Sequence, residues 1–397
     1  NGITLIALVV TIVVLLILAG VSISLVVDKN GIIQKSKDAR REYGTSKTNE
    51  QKQMDSTNDW IDETVTGNLK GTKETKPYLP NEDYTKVPGT SLDNGLVIAD
   101  KKGNEYVWVE VPKTDTVYAK SGLKITEFSV EELASIKTDL LKYTTGGRYS
   151  DYADTWYSGC GIADADTYTD KYNKMLKSVY QNGGFWIGRY EIGIDENTTR
   201  SFGTDHSTEH PTEGQTPVIK KNKVPYNWIR CSQAESLAEA FAPTGYTSSL
   251  LFGLQWDLVC KYLKTKGTTD DLLQNSKEWG NYKDASFDIT NIDAMYSEDD
   301  GISWKKVSKE TNKTYNKASS KSVLLTTGAE TRNSMLNICD FAGNLEEWTL
   351  QQYCFAAIVP CVSRGSSYTG ATSTVTSWGP EEKNTSEKYL GARVSLY

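Results

Sequence analysis

Histidine is almost missing: His206 and His210 are the only two in 397 residues. With Gly203 and Pro211 flanking them they read as a loop pair, structural or solvent-exposed, and not as a metal clip on one helix face. Two histidines also leave little room for a hydrolase triad, and neither Gly-x-Ser-x-Gly nor a phosphate-binding loop occurs. Positive charge is short as well. Lys plus Arg number 44 against 51 Asp plus Glu, a net charge of -7, which argues against nucleic acid or an anionic lipid surface as the main partner. No Cys-x-x-Cys spacing suggests zinc. The absence with the widest consequence is local: residues 3–27 contain no charged side chain.

As a helix rising about 1.5 Å per residue, that run measures ~38 Å, enough to cross a hydrocarbon layer of about 30 Å with tilt. A secretory signal has a shorter apolar core behind a basic patch, and neither feature is present. A plain membrane anchor shares this hydropathy. After Asp28 the composition flips: residues 28–65 carry seven Lys or Arg and eight Asp or Glu, with no Pro. Sparse apolar positions (Ile32, Ile33, Ala39, Tyr43, Met54, Trp60, Ile61) predict a helix continuing into water, too thin on its apolar face for a long coiled coil. Asn30-Gly31 marks a break between the halves. Residues 66–91, rich in Gly, Pro, Thr and charge, read as a linker or stalk.

Gly2 followed by Ile3-Thr4-Leu5-Ile6 and an apolar run closing in Leu18-Ala19-Gly20-Val21 resembles the type IV pilin family, most closely the clostridial-type pilin-like proteins. The resemblance implies that a prepilin peptidase cuts between Gly2 and Ile3. It also implies a filament core built from Ile3, Leu5, Ile6, Leu8, Ile12, Leu15, Leu16, Leu18 and Gly20. The family's glutamate five residues beyond the cut is replaced by Ala7, so packing among copies must carry assembly without that ion pair.

Residues 92–397 change texture to strands, turns and aromatics. Alternation on both sides of Lys101-Lys-Gly-Asn104 predicts a hairpin, and Gly183–Glu191 a further strand. Apolar spacing of three and four predicts helices over 232–241 and 254–264, and a short helix is expected over 130–143. Six segments in order resemble the domain shared by formylglycine-generating sulfatase-modifying enzymes and C-type-lectin-like proteins. They are Gly184-Phe-Trp-Ile-Gly-Arg-Tyr-Glu191, Val224-Pro-Tyr-Asn-Trp-Ile-Arg230, Leu254-Gln-Trp-Asp-Leu258, Cys339-Asp-Phe-Ala-Gly-Asn-Leu-Glu-Glu-Trp-Thr349, Ser363-Arg-Gly-Ser-Ser-Tyr368 and Gly391-Ala-Arg-Val394. The implied fold class is α+β, a long N-terminal helix followed by a sulfatase-modifying-factor or C-type-lectin-like domain with much irregular loop. The family's enzymes use two cysteines downstream of their Arg-Gly motif to hold copper. Here Tyr368–Val375 has none, with Gly370 and Val375 near the expected places, so the scaffold is expected without its activity, and without a cofactor or metal.

Six cysteines remain, Cys160, Cys231, Cys260, Cys339, Cys354 and Cys361. Their even number in a chain reaching the outside favours disulfides, with Cys354 and Cys361 the candidate pair around Pro360 and free buried thiols the alternative. Ser297-Glu-Asp-Asp-Gly-Ile-Ser-Trp304 resembles an Asp-box hairpin, which as a lone copy reads as structural. Ten Trp and 23 Tyr supply rigid amphipathic surface, and Tyr353, Tyr368 and Trp378 are the candidate ligand surface, core packing being the other reading. The expectation is a non-enzymatic homo-oligomer: a subunit of an extracellular type IV pilus-like filament, held in the cytoplasmic membrane before the pilus assembly machinery acts, with an adhesive head for a glycan or protein ligand and none for nucleic acid. The runner-up is a minor pilin, a pseudopilin or a membrane-tethered adhesin.

Overall fold

The computed structural model describes residues 69, 71–72, 74–111, 128–143, 158–201, 211, 213–307, 314–353, 359–371 and 374–397. All belong to the unit Glu63–Tyr397. The apolar run with its core positions Ile3 to Gly20, the Gly2–Ile3 junction, the region 28–65, His206, His210 and Cys354 lie outside the described residues.

The α+β expectation led by a long N-terminal helix is corrected. Among the described residues there are five α-helices of 5 to 18 residues: α1 (Val130–Leu141), α2 (Ala165–Asn182), α3 (Cys231–Glu239), α4 (Gly253–Tyr262) and α5 (Asp270–Gln274). The rest is mostly short strands and loops, and no long N-terminal helix is among these elements. Among the described residues no helix is long and apolar enough to cross a membrane. Local signals set the ends of two of these helices. Helix α2 starts where the Asp164 side chain accepts from Thr167 N. It ends at Gly183, whose left-handed φ of 69° and contact with Glu74 leave no room for a Cβ. Helix α1 starts on a reciprocal Ser129–Glu132 capping box.

The strands that place the site are β1 (Thr85–Lys86), β2 (Val97–Ala99), β3 (Glu105–Glu110), β4 (Gly184–Gly188), β5 (Ser248–Leu250), β6 (Glu346–Gln352), β7 (Cys361–Arg364), β8 (Trp378–Glu381), β9 (Leu390–Gly391) and β10 (Val394–Leu396). The main sheet runs β1-β2-β3-β4-β10-β5, antiparallel throughout. The hairpin expected on either side of residues 101–104 is β2–β3, closed by Asp100 accepting from Lys102 N and Asn104 N. Strand β10 lies between β4 and β5, so residues near position 395 pair with Ile187 on one side and Ser249 on the other. The helix expected over 254–264 is α4, continued by a π turn at Leu263–Gly267.

A second sheet runs β8-β7-β6-β9, with β6–β9 parallel and the other pairs antiparallel. Helix α2 lays Tyr168, Tyr172, Met175, Leu176 and Val179 inward, a three-to-four spacing that makes one apolar stripe. The core beneath holds Trp108 and Trp186 edge to face at 4.9 Å, and Trp256 stacked on Phe341 at 4.1 Å. Three of the fully buried Trp N–H groups find acceptors in the core: Trp108 donates to Thr75 Oγ1, Trp256 to the Val375 carbonyl and Trp348 to the Ile229 carbonyl.

Candidate functional site

The segments that stand out in sequence meet as structural joints. Gly343 and Asn344 take left-handed φ of 80° and 63°, and this turn feeds β6. The Asn344 side chain donates to Glu191 Oε2 at 2.8 Å and to the Leu325 carbonyl, and accepts from Asn281 Nδ2 and Leu325 N. Glu191 Oε1 accepts from Leu345 N. Glu347, one residue before Trp348, takes the Arg393 guanidinium in a bidentate pair, and Arg393 also donates to the carbonyls of Gly188 and Cys339. Thus the segments ending at Glu191, Thr349 and Val394 are bolted together by fully buried polar groups.

Arg393 is the cation of a buried cluster that also contains Asp340. Burial pushes Glu191 well above the usual carboxylate range, with the charges of Asp340 and Glu347 adding to it. Burial likewise pushes Asp340 up to about 7, against the Gly328 N–H it accepts. A second buried pair joins α4 to β7: Arg364 donates to Asp257 at 2.5 Å and to Gln351 at 3.0 Å. A third joins α2 to α3, where Lys171 contacts Glu235 and Glu239, and burial lifts Glu235 to about 7. Each group reaches a partner inside the fold, and among the described residues no set of three or more His, Cys, Asp or Glu is arranged to hold a metal ion.

The three residues expected to form a ligand surface do not stay together. Tyr353, just past β6, stacks on Trp378 of β8 with centroids 5.4 Å apart and planes at 30°, and both rings are half-buried. Tyr368 is fully buried among Leu324 and Leu345, and its hydroxyl donates to Asp300 at 3.0 Å. Its ring presents nothing to a ligand, which corrects its place in that surface; the count of aromatics carries no sign of inside or outside. The Asp-box segment explains the partner. Asp299 accepts from Ser297 Oγ, Ser303 N and Ser303 Oγ, bracing the turn between Met295–Ser297 and Lys305–Lys306, and these bonds hold its carboxyl down at about 2. Asp300, at φ 62°, then faces Tyr368 and Lys388. Both aspartates are engaged in the hairpin and its neighbours.

Sequence reading missed a pair of carboxylates carried by β6 and β8. Glu346 on β6 accepts from Ser363 Oγ on β7, and Glu381 on β8 sits across Gly379, where an added Cβ would lie 3.6 Å from Glu346 Oε2 and 3.7 Å from Glu381 Oε1. Burial raises Glu346 to about 7, the neighbouring Glu381 adding to the rise, and burial also raises Glu381. Their spacing in sequence, 35 residues, gives no periodic signal; only the β6-β7-β8 order brings them together. A cavity of about 240 Å³, lined by Val111, Tyr143, Leu258 and Tyr262 and walled by the Lys266–Glu110 pair, is smaller than ordinary small-molecule sites. Gly370 and Val375 are packed, the first close to Ser366 Oγ and the second wholly buried.

No family model matches the chain, and no curated protein matches it. Among solved structures it is similar to Treponema denticola variable protein 1, at 15% identity and a TM-score of 0.28, over 54% of this chain and 84% of that one.

Proposed function

We propose that the chain is a structural subunit of an extracellular filament of the type IV pilus kind. The observation that carries this reading is the uncharged segment 3–27, attached to a folded unit whose buried charges serve as joints. Each buried Leu, Ile or Val is worth roughly 1.5–3 kcal/mol against water, so the segment needs either lipid or copies of itself. Lipid and a bundle of like segments are both apolar, so contacts between folded units and packing within the bundle decide which is occupied. On this reading prepilin peptidase releases Ile3 as the first residue, the segment leaves the cytoplasmic membrane through the assembly machinery, and residues 63–397 coat the fibre.

Electron microscopy of the cell surface and of purified protein tests it. Parent chain should give fibres, and Leu8→Lys or Leu15→Lys should abolish them while leaving the near-UV circular dichroism unchanged. Protein that stays monodisperse in detergent, with no polymer outside the cell, would make the segment a tether only.

The Tyr353–Trp378 stack supports an adhesive role, either within the fibre or as a minor subunit at its end. Aromatic faces of this kind hold sugar rings through apolar C–H contact. Trp378→Ala should weaken glycan binding about tenfold by calorimetry, with the far-UV circular dichroism unchanged; equal binding by both forms would remove this surface from the account.

A further inference from the structure

Five cysteines, at 160, 231, 260, 339 and 361, are buried thiols, and three of them converge from distant parts of the chain. Cys231 opens α3, and its sulfur lies 3.7 Å from the Thr349 carbonyl of β6. Thr349 is the register partner of Val362 and donates to its carbonyl, so the sulfur is held beside the start of β7, where Cys361 sits. The neighbouring Cys361 thiol is the largest influence on the Cys231 thiol and raises it. Cys160 is close to both: its 3-10 turn (Ser158–Cys160) packs on α3, and an added Cβ at Gly161 would lie 3.0 Å from Ser232 Cβ. Two thiols brought to the same place from distant parts of the chain, with no metal-holding set of side chains among the described residues, are suited to a disulfide.

We propose that Cys231 and Cys361 are a disulfide-forming pair that staples the start of α3 to β7, with Cys160 outside that bond. The oxidant is a dithiol–disulfide exchange partner such as a disulfide oxidoreductase or oxidised glutathione. The Cys231 thiolate attacks one sulfur of that disulfide, forming a mixed disulfide and releasing one thiol. The Cys361 thiolate then attacks the Cys231 sulfur and displaces the second. Two electrons and two protons pass to the oxidant, whose disulfide becomes two thiols, and one new S–S bond remains in the chain. The neighbouring Cys361 thiol, and then burial, hold the folded Cys231 thiol well above its ordinary range, so the exchange belongs to the folding chain, before α3 covers the sulfur. The bond would close a loop of about 130 residues, and the stabilisation from a constrained unfolded chain grows with the logarithm of loop length.

The full chain is refolded in a mixture of oxidised and reduced glutathione, denatured in acid, alkylated with N-ethylmaleimide and digested without reductant. A peptide pair carrying Cys231 and Cys361, two hydrogens lighter than the sum of its parts, is the expected product, together with alkylated Cys160. Reduction should lower the thermal midpoint by about 5–10 °C. Cys160→Ser should keep the linked pair and Cys231→Ser should lose it. Alkylation of both Cys231 and Cys361 in the parent chain, or a link from Cys361 to Cys354 or Cys160, would overturn the assignment; because the mapping is read on the parent chain, it does not depend on any variant folding.

Discussion

A carboxyl that the fold prefers protonated makes stability fall as pH rises, and Glu346 is the most accessible test of this. Its folded value is about 7 where the ordinary one is 4.5, because burial between β6 and β7 disfavours the charge. Below the ordinary value both states hold the proton and nothing is lost. Between about 4.5 and 7 the unfolded chain releases its proton while the folded chain keeps it, so stability drains away across that window and stays low above it. Glu346→Gln removes the titration and still offers Ser363 an acceptor. The variant should match the parent near pH 4 and exceed it by about 3 kcal/mol at pH 8 in urea unfolding; a difference independent of pH would show that Glu346 is solvated. Glu235 and Asp340, also raised to about 7 by burial, act in the same sense. Tyr368→Phe should cost about 1 kcal/mol in the same measurement, through the lost bond to Asp300; no change would mean that water replaces the hydroxyl's partner.

The turn at Gly343–Asn344 shows how much one element depends on one residue. Gly343 holds φ 80° and runs beside Asn281 in a parallel bridge, where an added Cβ would lie 2.4 Å from the Asn281 carbonyl. Gly343→Ala combines an unfavourable left-handed backbone with a clash against main chain, and a loss of about 3 kcal/mol is expected in denaturant unfolding; a loss under 1 kcal/mol would mean that the Asn281 segment moves aside freely. Such elements were partly legible in the sequence. The β2–β3 hairpin followed from alternation around Lys101–Asn104, and α4 from its spacing of three and four, since both signals are local. What pairs with what was not legible: Arg364 meets Asp257 and Glu191 meets Asn344 across 107 and 153 positions, and no local pattern encodes such distances. Aromatic side chains gave the weakest guidance, since Tyr353 and Tyr368 carry the same chemistry and one is half-buried while the other is enclosed.

For the whole molecule the main sheet sets the terms. Its order, β1-β2-β3-β4-β10-β5, inserts residues 394–396 between strands that precede them by about two hundred and about one hundred and fifty positions. Removal of Val394–Tyr397 should therefore abolish cooperative thermal unfolding followed by circular dichroism, whereas a central sheet that closed without β10 would leave the transition sharp. A chain made from its amino end meets this as a matter of timing. Strands β4 and β5 appear with a gap between them, and edges that would otherwise recruit neighbours stay open until β10 arrives. Synthesis and folding are thus coupled by topology: the sheet stays pliable while the chain grows and sets only once residues 394–396 are in hand.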